Sequence, residues 1–383
     1  FPFETPVGRG GVGASLGLTY SSQTGDSSAG QGWSLGVPGI VRVSPDGGVP
    51  RYRDPAPAEA WAPGVDGFAH DGAELVPICV VRGGSCAGAM ADESMPAWAE
   101  GYRYYRARIE GSFLRYFHSP DGRLWRVQAQ SGMQMEFGVP ADGSGDTNAL
   151  DVHPEGRGVF RWNLARTYDP NGVEDVLGSP TPRPVNVVVY RYLKSGGLSY
   201  LSDVYDTPPA ADPRASLSAY EHHVRLAWEN RRDTLQSYRR GYGTVASLRL
   251  ARVDVTSKTY AGGASSARRA VRRYHLTYDS AFRTSYLRSV QMEGRCDGPE
   301  DAAAAEQANG ELPATSCPRM PPVRYTYSHT RGSDGAEIPP TAEGLEGVTF
   351  RLEMAAGAQI PNTQSPFVDL IDVNADGLPD VVD

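Results

Sequence analysis

The sequence predicts an all-β protein in which short antiparallel strands build a large, shell-like or sandwich-like sheet region with long loops. The 383 residues include 44 glycines and 30 prolines, and chain breakers at this frequency are incompatible with a helical bundle. Apolar residues alternate with small or polar ones in many short segments, a period of two that is typical of half-buried strands. Turn sequences separate these segments at short intervals, which favours antiparallel pairing.

The composition limits the classes of partner. Hydrophobic residues make up 40% of the chain and the formal net charge is −8, so the chain can bury a core but has no overall field that would attract nucleic acid or anionic lipid. No apolar run approaches the roughly 20 residues that span a bilayer. We therefore expect neither nucleic-acid binding nor direct membrane insertion. The chain opens on Phe1 without a methionine, which indicates a piece of a longer protein.

The first hundred residues contain predicted strands followed by predicted loops. Residues 12–20 alternate strictly and predict a strand, and residues 33–43 resume the pattern after a glycine-rich loop. Residues 50–98 are rich in proline, alanine and glycine, so surface loops are expected there rather than core.

The most regular segment, residues 102–137, predicts an antiparallel meander with turns at Glu110-Gly111 and Ser119–Gly122. A second block of strands is predicted at 158–167, 185–193, 223–229, 245–255, 270–278 and 323–328. Residues 297–316 include a run of alanines and are the best candidate for a short helix.

The four cysteines form two local pairs, Cys79 with Cys86 and Cys296 with Cys317. Neither spacing matches a zinc ribbon or a Cys-x-x-Cys redox motif. Two disulfides and four free thiols are both compatible with these spacings. Disulfides would indicate an oxidising compartment, and the longer bridge would stabilise the fold by about 3 kcal/mol.

The strongest chemical motif lies near the C-terminus, where Asp372 to Asp380 read D-x-N-x-D-G-x-x-D. Calcium takes about six to eight oxygen ligands, and a tight loop can supply alternate side chains together with one backbone carbonyl. An acidic solvated loop is the alternative interpretation. The flanking residues are strand formers, so the loop is expected to join two strands rather than the helices of an EF-hand. The predicted calcium ligands are Asp372, Asn374, Asp376, the carbonyl of Leu378, and Asp380.

Other polar groupings carry weaker signals. Glu221-His222-His223 contains a potential metal ligand or base, but adjacent histidines of a strand point to opposite faces and are expected to pack. The glycine run at 8–13 precedes a predicted strand instead of following one, so it is not a dinucleotide-binding loop. We find neither a nucleophile elbow nor a phosphate loop, and we predict no catalytic residue and no enzymatic activity.

A series of short motifs runs along the chain: Gly8-Arg9-Gly10, Ala14–Ser22, Gly30–Leu35, Pro50-Arg51-Tyr52, Asp71–Pro77, Tyr105–Gly111, Trp125-Arg126-Val127 with Phe137-Gly138, Tyr168–Gly172 and Arg239–Gly243. Their order resembles that of the SpvB-type domain, the N-terminal part of insecticidal toxin complex B components and of Salmonella virulence plasmid B proteins. The ending resembles the start of an FG-GAP/VCBS repeat of the integrin-alpha-like kind, and Tyr168–Gly172 is also similar to the tyrosine-aspartate repeats of Rhs proteins. The cysteine-bearing stretches look like insertions relative to the family.

The resemblance implies three parts: an SpvB-like β domain at 1–331, a linker at 332–347, and the truncated start of a β-propeller repeat at 348–383. It implies a structural segment of a secreted bacterial toxin, without catalysis of its own. In that family, B components and Rhs-like C components form a hollow β shell around an effector polypeptide, and the propeller docks on the channel-forming A component. These are the partners that the resemblance implies.

Two other functions remain open at this stage. The chain could be the N-terminal delivery part of a virulence ADP-ribosyltransferase whose catalytic domain lies outside it. It could also be an extracellular calcium-dependent adhesion or glycan-binding module, which the calcium motif and the aromatic residues would suit.

Overall fold

A computed structural model describes residues 1–56, 64–86, 94–142, 147–173, 183–209, 215–258, 267–279, 284–296, 304–327, 369–371 and 380–382. Within these ranges the regular structure consists of strands and of three-residue 3-10 helices, so the all-β prediction is confirmed. None of the helices in this part of the chain has the length and apolar character needed to cross a membrane. The helices are Arg9–Gly11, Ala97–Ala99, Thr147–Ala149 and Leu217–Ala219.

The strands are numbered in chain order. The first fourteen are β1 (Pro2–Phe3), β2 (Leu16–Tyr20), β3 (Asp26–Ser27), β4 (Gly30–Gln31), β5 (Trp33–Leu35), β6 (Gly39–Val43), β7 (Gly67–His70), β8 (Ala73–Val80), β9 (Arg103–Ala107), β10 (Arg115–His118), β11 (Leu124–Gln128), β12 (Gln134–Gly138), β13 (Leu150–Val152) and β14 (Val159–Tyr168). The others are β15 (Gly172–Val173), β16 (Arg183–Pro184), β17 (Val187–Ser195), β18 (Leu198–Asp206), β19 (His222–Ser237), β20 (Thr244–Ser257), β21 (Arg269–Tyr278), β22 (Leu287–Glu293), β23 (Val323–Arg324), β24 (Asp369–Ile371) and β25 (Asp380–Val382).

Eight strands close into an antiparallel barrel. Strands β6 to β12 pair consecutively, and β14 completes the ring by pairing with both β6 and β12. Alternate side chains point inward and fill the interior, as expected for a barrel of this size. The ring of Phe68 lies 5.0 Å from that of Trp125 and 5.6 Å from that of Trp162, and His118 stacks on Trp125 at 4.3 Å. The barrel is therefore a packed core rather than a pore.

The barrel continues into a second antiparallel sheet through β14. Residues 161–163 of this strand pair with β6, whereas residues 166–168 pair with β17. From β17 the sheet runs in chain order through β18 to β23. The barrel and the sheet thus share one strand.

The N-terminal residues cover the apolar face of this second sheet with a small three-stranded sheet, ordered β1-β2-β5. The ring of Phe3 lies 5.1 Å from that of Tyr274 on β21, and Trp33 donates its indole N–H to the Tyr327 hydroxyl at 2.9 Å. Leu16 and Leu18 are buried in the same cluster as Val253 and Val290. The core of the protein therefore joins residues that are almost 300 positions apart in sequence.

The structure confirms the predicted meander and the strands of the second block, of which the last, predicted at 323–328, spans only Val323–Arg324. It corrects one other expectation. The prediction of loops over residues 50–98 is wrong: β7 and β8 are barrel strands that bury Phe68 and Leu75. The alternation of apolar and polar residues in these two strands is short. It is flanked by proline- and alanine-rich segments, and the loop prediction is based on those segments. The alanine-rich insert contains no helix over residues 304–316, and residues 297–303 lie outside the described part of the chain.

The predicted domain boundaries remain predictions. The proposed linker at 332–347 lies outside the described residues, as does most of 348–383. The exceptions are the strands β24 and β25, which pair with each other.

Two glycines with similar backbone angles provide a test of the barrel packing. Gly138 has φ +89° and Gly72 has φ +81°, but a Cβ at Gly138 would lie 2.3 Å from the carbonyl oxygen of Arg123, whereas one at Gly72 would meet nothing within 4 Å. We expect Gly72→Ala to lower the free energy of unfolding by about 1–2 kcal/mol through its left-handed conformation. Gly138→Ala should cost about 1–3 kcal/mol more, because of overpacking. Equal losses in urea unfolding would contradict the described packing around Gly138.

Candidate functional site

Two of the family-like motifs meet at one end of the barrel. The hydroxyl of Tyr52 donates to the backbone carbonyl of Arg240, at the tip of the β19–β20 hairpin, at 2.5 Å. The Arg240 guanidinium pairs with Asp151 on β13 at 2.5 Å, and Lys194 pairs with the same carboxylate at 2.9 Å. Burial alone would raise the pKa of Asp151, but these two cations hold it below its ordinary value. The Arg239–Gly243 motif therefore anchors the long hairpin to the barrel.

Two further motifs meet where the N-terminal layer contacts the turn after β14. Asp169 accepts hydrogen bonds from the side-chain amides of Asn171 at 2.7 Å and Asn186 at 2.8 Å. Gly10 lies over Asn186 so closely that a Cβ would be 2.7 Å from the amide nitrogen. The glycine run thus permits a close approach between layers, which is a packing role.

A buried ionic ladder crosses the strands that close the barrel. Arg126, Glu136 and Arg166 are cross-strand partners on β11, β12 and β14. The Glu136 carboxylate is fully buried and pairs with Arg126 at 3.1 Å and with Arg166 at 2.7 Å. Tyr168 also donates its hydroxyl to Glu136 at 3.0 Å. Removing one member of such a buried set leaves uncompensated charge, so the ladder makes the barrel closure specific.

The two adjacent histidines of β19 lie on opposite faces, as predicted. His222 Nδ1 lies 2.6 Å from Asp206, which also accepts the backbone N–H of Ala14. His223 is almost completely buried on the other face, with Nε2 3.0 Å from Asp203 and Nδ1 3.0 Å from Glu306. Both histidines therefore bind carboxylates that belong to the packing of the fold.

The surroundings of His223 fix its charge. Burial opposes protonation, but the hydrogen bonds to Asp203 and Glu306 outweigh it and raise the pKa of His223 above its ordinary value. Arg268 pairs with the other oxygen of Glu306 at 2.6 Å. Although burial disfavours the carboxylate, His223 and Arg268 lower the pKa of Glu306 to about 2. This network fixes the cysteine-bearing insert on the polar face of the second sheet.

The structure joins both cysteine pairs as disulfides, with Cα–Cα distances of 5.6 Å for Cys79–Cys86 and 4.6 Å for Cys296–Cys317. Cys296 and Cys317 pack in a small cluster with Ala270, Ala304 and Leu312. The second bridge therefore closes a compact insert, which is also attached through Glu306 and through hydrogen bonds from Arg273 to the carbonyls of Leu312 at 3.1 Å and Pro313 at 3.0 Å.

The predicted calcium ligands lie at the C-terminal hairpin. Strands β24 and β25 pair antiparallel, with Ile371 opposite Asp380, so the backbone brings the two ends of the motif together. Asp372, Asn374, Asp376 and Leu378 lie outside the described residues, and of Asp380 only the backbone is described. Elsewhere, the described residues contain no group of three or more side chains suited to hold a metal ion.

These observations define a class: an all-β domain in which a filled barrel is fused to a wide sheet and the buried charges serve to join segments. Residues 1–176 match the family model described as Salmonella virulence plasmid 65kDa B protein, SpvB. Over these 176 of its 383 residues the chain is therefore similar to the SpvB family. No protein with a curated description matches the chain significantly in sequence.

Solved structures share the fold over a longer stretch. The N-terminal domain of effector protein SpvB from Salmonella typhimurium strain LT2 is 21% identical, with a TM-score of 0.55, covering 77% of this chain and 98% of that one. The TcdB2-TccC3 crystal structure is 19% identical, with a TM-score of 0.58, over 87% of this chain and 16% of the other. The Photorhabdus luminescens Tc holotoxin pore is 18% identical, with a TM-score of 0.59, over 99% of this chain and 17% of the other. At these identities the likeness shows a common fold.

The raised pKa of His223 predicts a specific pH dependence of stability. A group whose pKa is raised by folding contributes fully below its unfolded pKa, here about 6.5, and loses this contribution as pH rises through the folded value. His223→Gln should therefore lower the free energy of unfolding by about 2 kcal/mol at pH 6, with a smaller loss at pH 9. Urea unfolding across this range measures the difference.

His118→Gln is the matched control for this prediction. Burial lowers the pKa of His118 to about 4, so its side chain is neutral throughout the range from pH 6 to pH 9. Its cost should be smaller at pH 6 than at pH 9, the reverse of the trend for His223→Gln, because the unfolded His118 is protonated at pH 6 and must lose that proton on folding. A cost of His223→Gln that does not depend on pH would contradict the charged state assigned to His223.

Proposed function

We propose that this chain is the non-catalytic first part of a toxin-complex B-type component, where it contributes a section of the wall of a hollow β shell around an effector polypeptide. The observation that carries the proposal is the fold, in which a sealed barrel leads into a single wide sheet. The SpvB family match and the likeness to the Tc complexes support the same role.

The position of the free edge of the described sheet supports this proposal. At one end its strands close into the barrel, which has no free edge. At the other end β23 is the last strand in the order, and Val323 is 47% exposed. An open edge invites pairing with a further strand. In the full-length protein, later residues would extend the wall from this edge.

The proposed partners follow from the same role. A C-type, Rhs-like component would complete the shell, a channel-forming A component would receive it, and the effector would be enclosed. The proposed location is extracellular. The proposed domain plan keeps 1–331 as the SpvB-like domain, 332–347 as a linker and 348–383 as the start of an FG-GAP/VCBS propeller repeat.

Electron microscopy of the full-length protein tests the proposal. We expect the fold of residues 1–327 to form a continuous part of the wall of a closed hollow particle. A barrel-and-sheet module joined by a flexible linker to a separate domain, without an enclosed cavity, would overturn the shell role. Turnover of NAD by the full-length protein would favour the delivery part of an ADP-ribosyltransferase, and calcium-dependent binding of the 383-residue chain to a glycan array would favour an adhesion module.

We also propose that the C-terminal loop binds calcium through Asp372, Asn374, Asp376, the Leu378 carbonyl and Asp380. The pairing of Ile371 with Asp380 supports this proposal, because it closes the loop that would surround the ion. A hard oxygen-ligand site of this kind would hold the two strands of the hairpin together.

Calorimetric titration with calcium tests this site. We expect one ion to bind the 383-residue chain and Asp376→Ala to abolish that binding, because it removes a ligand from the middle of the loop. Glu155→Gln, at an exposed ion pair far along the chain, is the matched control and should bind normally. Equal binding by the Asp376→Ala variant and the parent chain would exclude the proposed ligands.

A further inference from the structure

A pocket of about 360 Å³ opens on the outer surface of the barrel, beside the hairpin that connects β9 to β10. Its floor spans three neighbouring barrel strands. Arg115 on β10 is the cross-strand partner of Gln128 on β11, and continuing the β9–β10 register by one step places Arg106 beside Arg115. The pocket is lined by Arg106, Phe113, Arg115, Gln128, Ala129 and Gln130.

The charge of Arg115 is not neutralised by the residues that the structure describes. One terminal nitrogen donates to the backbone carbonyl of Ser94 at 3.0 Å and contacts the Met95 sulfur at 3.2 Å, while the buried Nε has no partner. Arg106 differs, because Glu110 pairs with it at 2.6 Å. An arginine is always charged, and the half-buried Arg115 side chain has no counter-ion among the described residues, which is unfavourable for its buried Nε. The pocket is therefore suited to accept an anion.

Aromatic rings hold Arg115 in position. Its guanidinium carbon lies 5.7 Å from the centre of the Tyr104 ring and 5.4 Å from that of Phe117. Both rings are buried and belong to barrel strands. The cation is thus fixed before any ligand arrives, which reduces the entropy lost on binding.

The rim of the pocket is apolar and conformationally strained. Phe113 has φ +52°, a left-handed value that is unfavourable for a residue with a side chain, and it is 49% exposed. Ile109 on the same hairpin is 86% exposed. Strain of this kind persists only where the surroundings impose it, and it is concentrated at functional sites. The hairpin holds two apolar side chains in solvent beside a cationic floor.

We propose that this pocket binds an aspartate or glutamate side chain of a partner polypeptide, with a neighbouring apolar residue of that partner packed on Phe113 and Ile109. An arginine fork matches the geometry of a carboxylate, and the side-chain amides of Gln128 and Gln130 can donate further hydrogen bonds. The combination of one uncompensated cation with an apolar rim is complementary to an acidic residue beside an apolar one. The volume of about 360 Å³ can hold an acidic side chain together with the apolar residue beside it.

Fluorescence anisotropy with a labelled peptide, Ala-Phe-Glu-Glu-Phe-Ala, tests the proposal on the 383-residue chain. The comparison peptide has glutamine at both glutamate positions. We expect the acidic peptide to bind at least about tenfold more tightly than its twin, since a hydrogen bond to a charged group has that magnitude. Arg115→Gln should abolish this preference and Arg115→Lys should retain part of it. Arg157→Gln, at an exposed arginine outside the pocket, should leave it unchanged.

Phe113→Gly separates binding from folding. Glycine accepts the left-handed backbone, so this variant should unfold at a higher urea concentration while binding the acidic peptide several-fold more weakly. A merely destabilised protein would show the opposite change in stability.

Several outcomes would overturn the proposal. Equal binding of the two peptides, or an unchanged preference in Arg115→Gln, would exclude a carboxylate site at Arg115. Displacement of the peptide by an equal concentration of inorganic phosphate would indicate a general anion site. A preference that appears only in a chain carrying Asp92→Asn and Glu93→Gln would show that acidic residues of this chain neutralise Arg115.

Discussion

The double pairing of one strand is the constraint on which the architecture depends. β14 has ten residues, and both of its edges are used twice: by β6 and then β17 on one side, and by β13 and then β12 on the other. The barrel needs the first part of β14 for its seam with β6, and the second sheet begins from the last three residues of the same strand. A one-residue shift in the register of β14 would turn each of its side chains to the opposite face of the sheet. It would therefore disturb the packing of the barrel and of the second sheet together.

Buried ion pairs reinforce the pairing of strands and also join segments that no strand pairing connects. Asp151 connects the hairpin tip to β13, Glu136 joins the strands that close the barrel, and Glu306 fixes the insert to the second sheet. In each case arginine provides at least one partner, and its planar fork can satisfy a carboxylate with two hydrogen bonds. Such pairs add little net stability, but breaking one is costly, so they select a single arrangement of the segments.

Local patterns in the sequence predict much of the fold. The meander of β9 to β12 has strong alternation and clear turn residues, and the structure contains all four strands. The closure of the barrel could not be predicted, because it depends on pairings between β14 and strands far away in the sequence. β7 and β8 were obscured by their proline-rich flanks, and β18 and β22 carry polar residues such as Asp203 and Glu293 whose partners are visible only in three dimensions.

The candidate sites also differ in whether neighbouring or distant residues define them. The acidic C-terminal motif is local, so its ligands and its strand-forming flanks can be identified from spacing alone. The role of His223 depends on Asp203 and Glu306, which are 20 and 83 positions away. Arg115 has no local signature at all, since an arginine in a strand is ordinarily solvated. It can be recognised only in the structure, because no acidic side chain among the described residues pairs with it.

The N-terminal layer has a consequence for the order of folding. A chain is synthesised from its N-terminus, yet Phe3 and Trp33 reach their partners only when Tyr274 and Tyr327 have been made. The barrel is complete at residue 168 and consists largely of contacts between neighbouring strands, which favours early formation. Phe3 and Trp33 are therefore synthesised long before they can be buried, and their aromatic side chains remain available to chaperones until the second sheet is made.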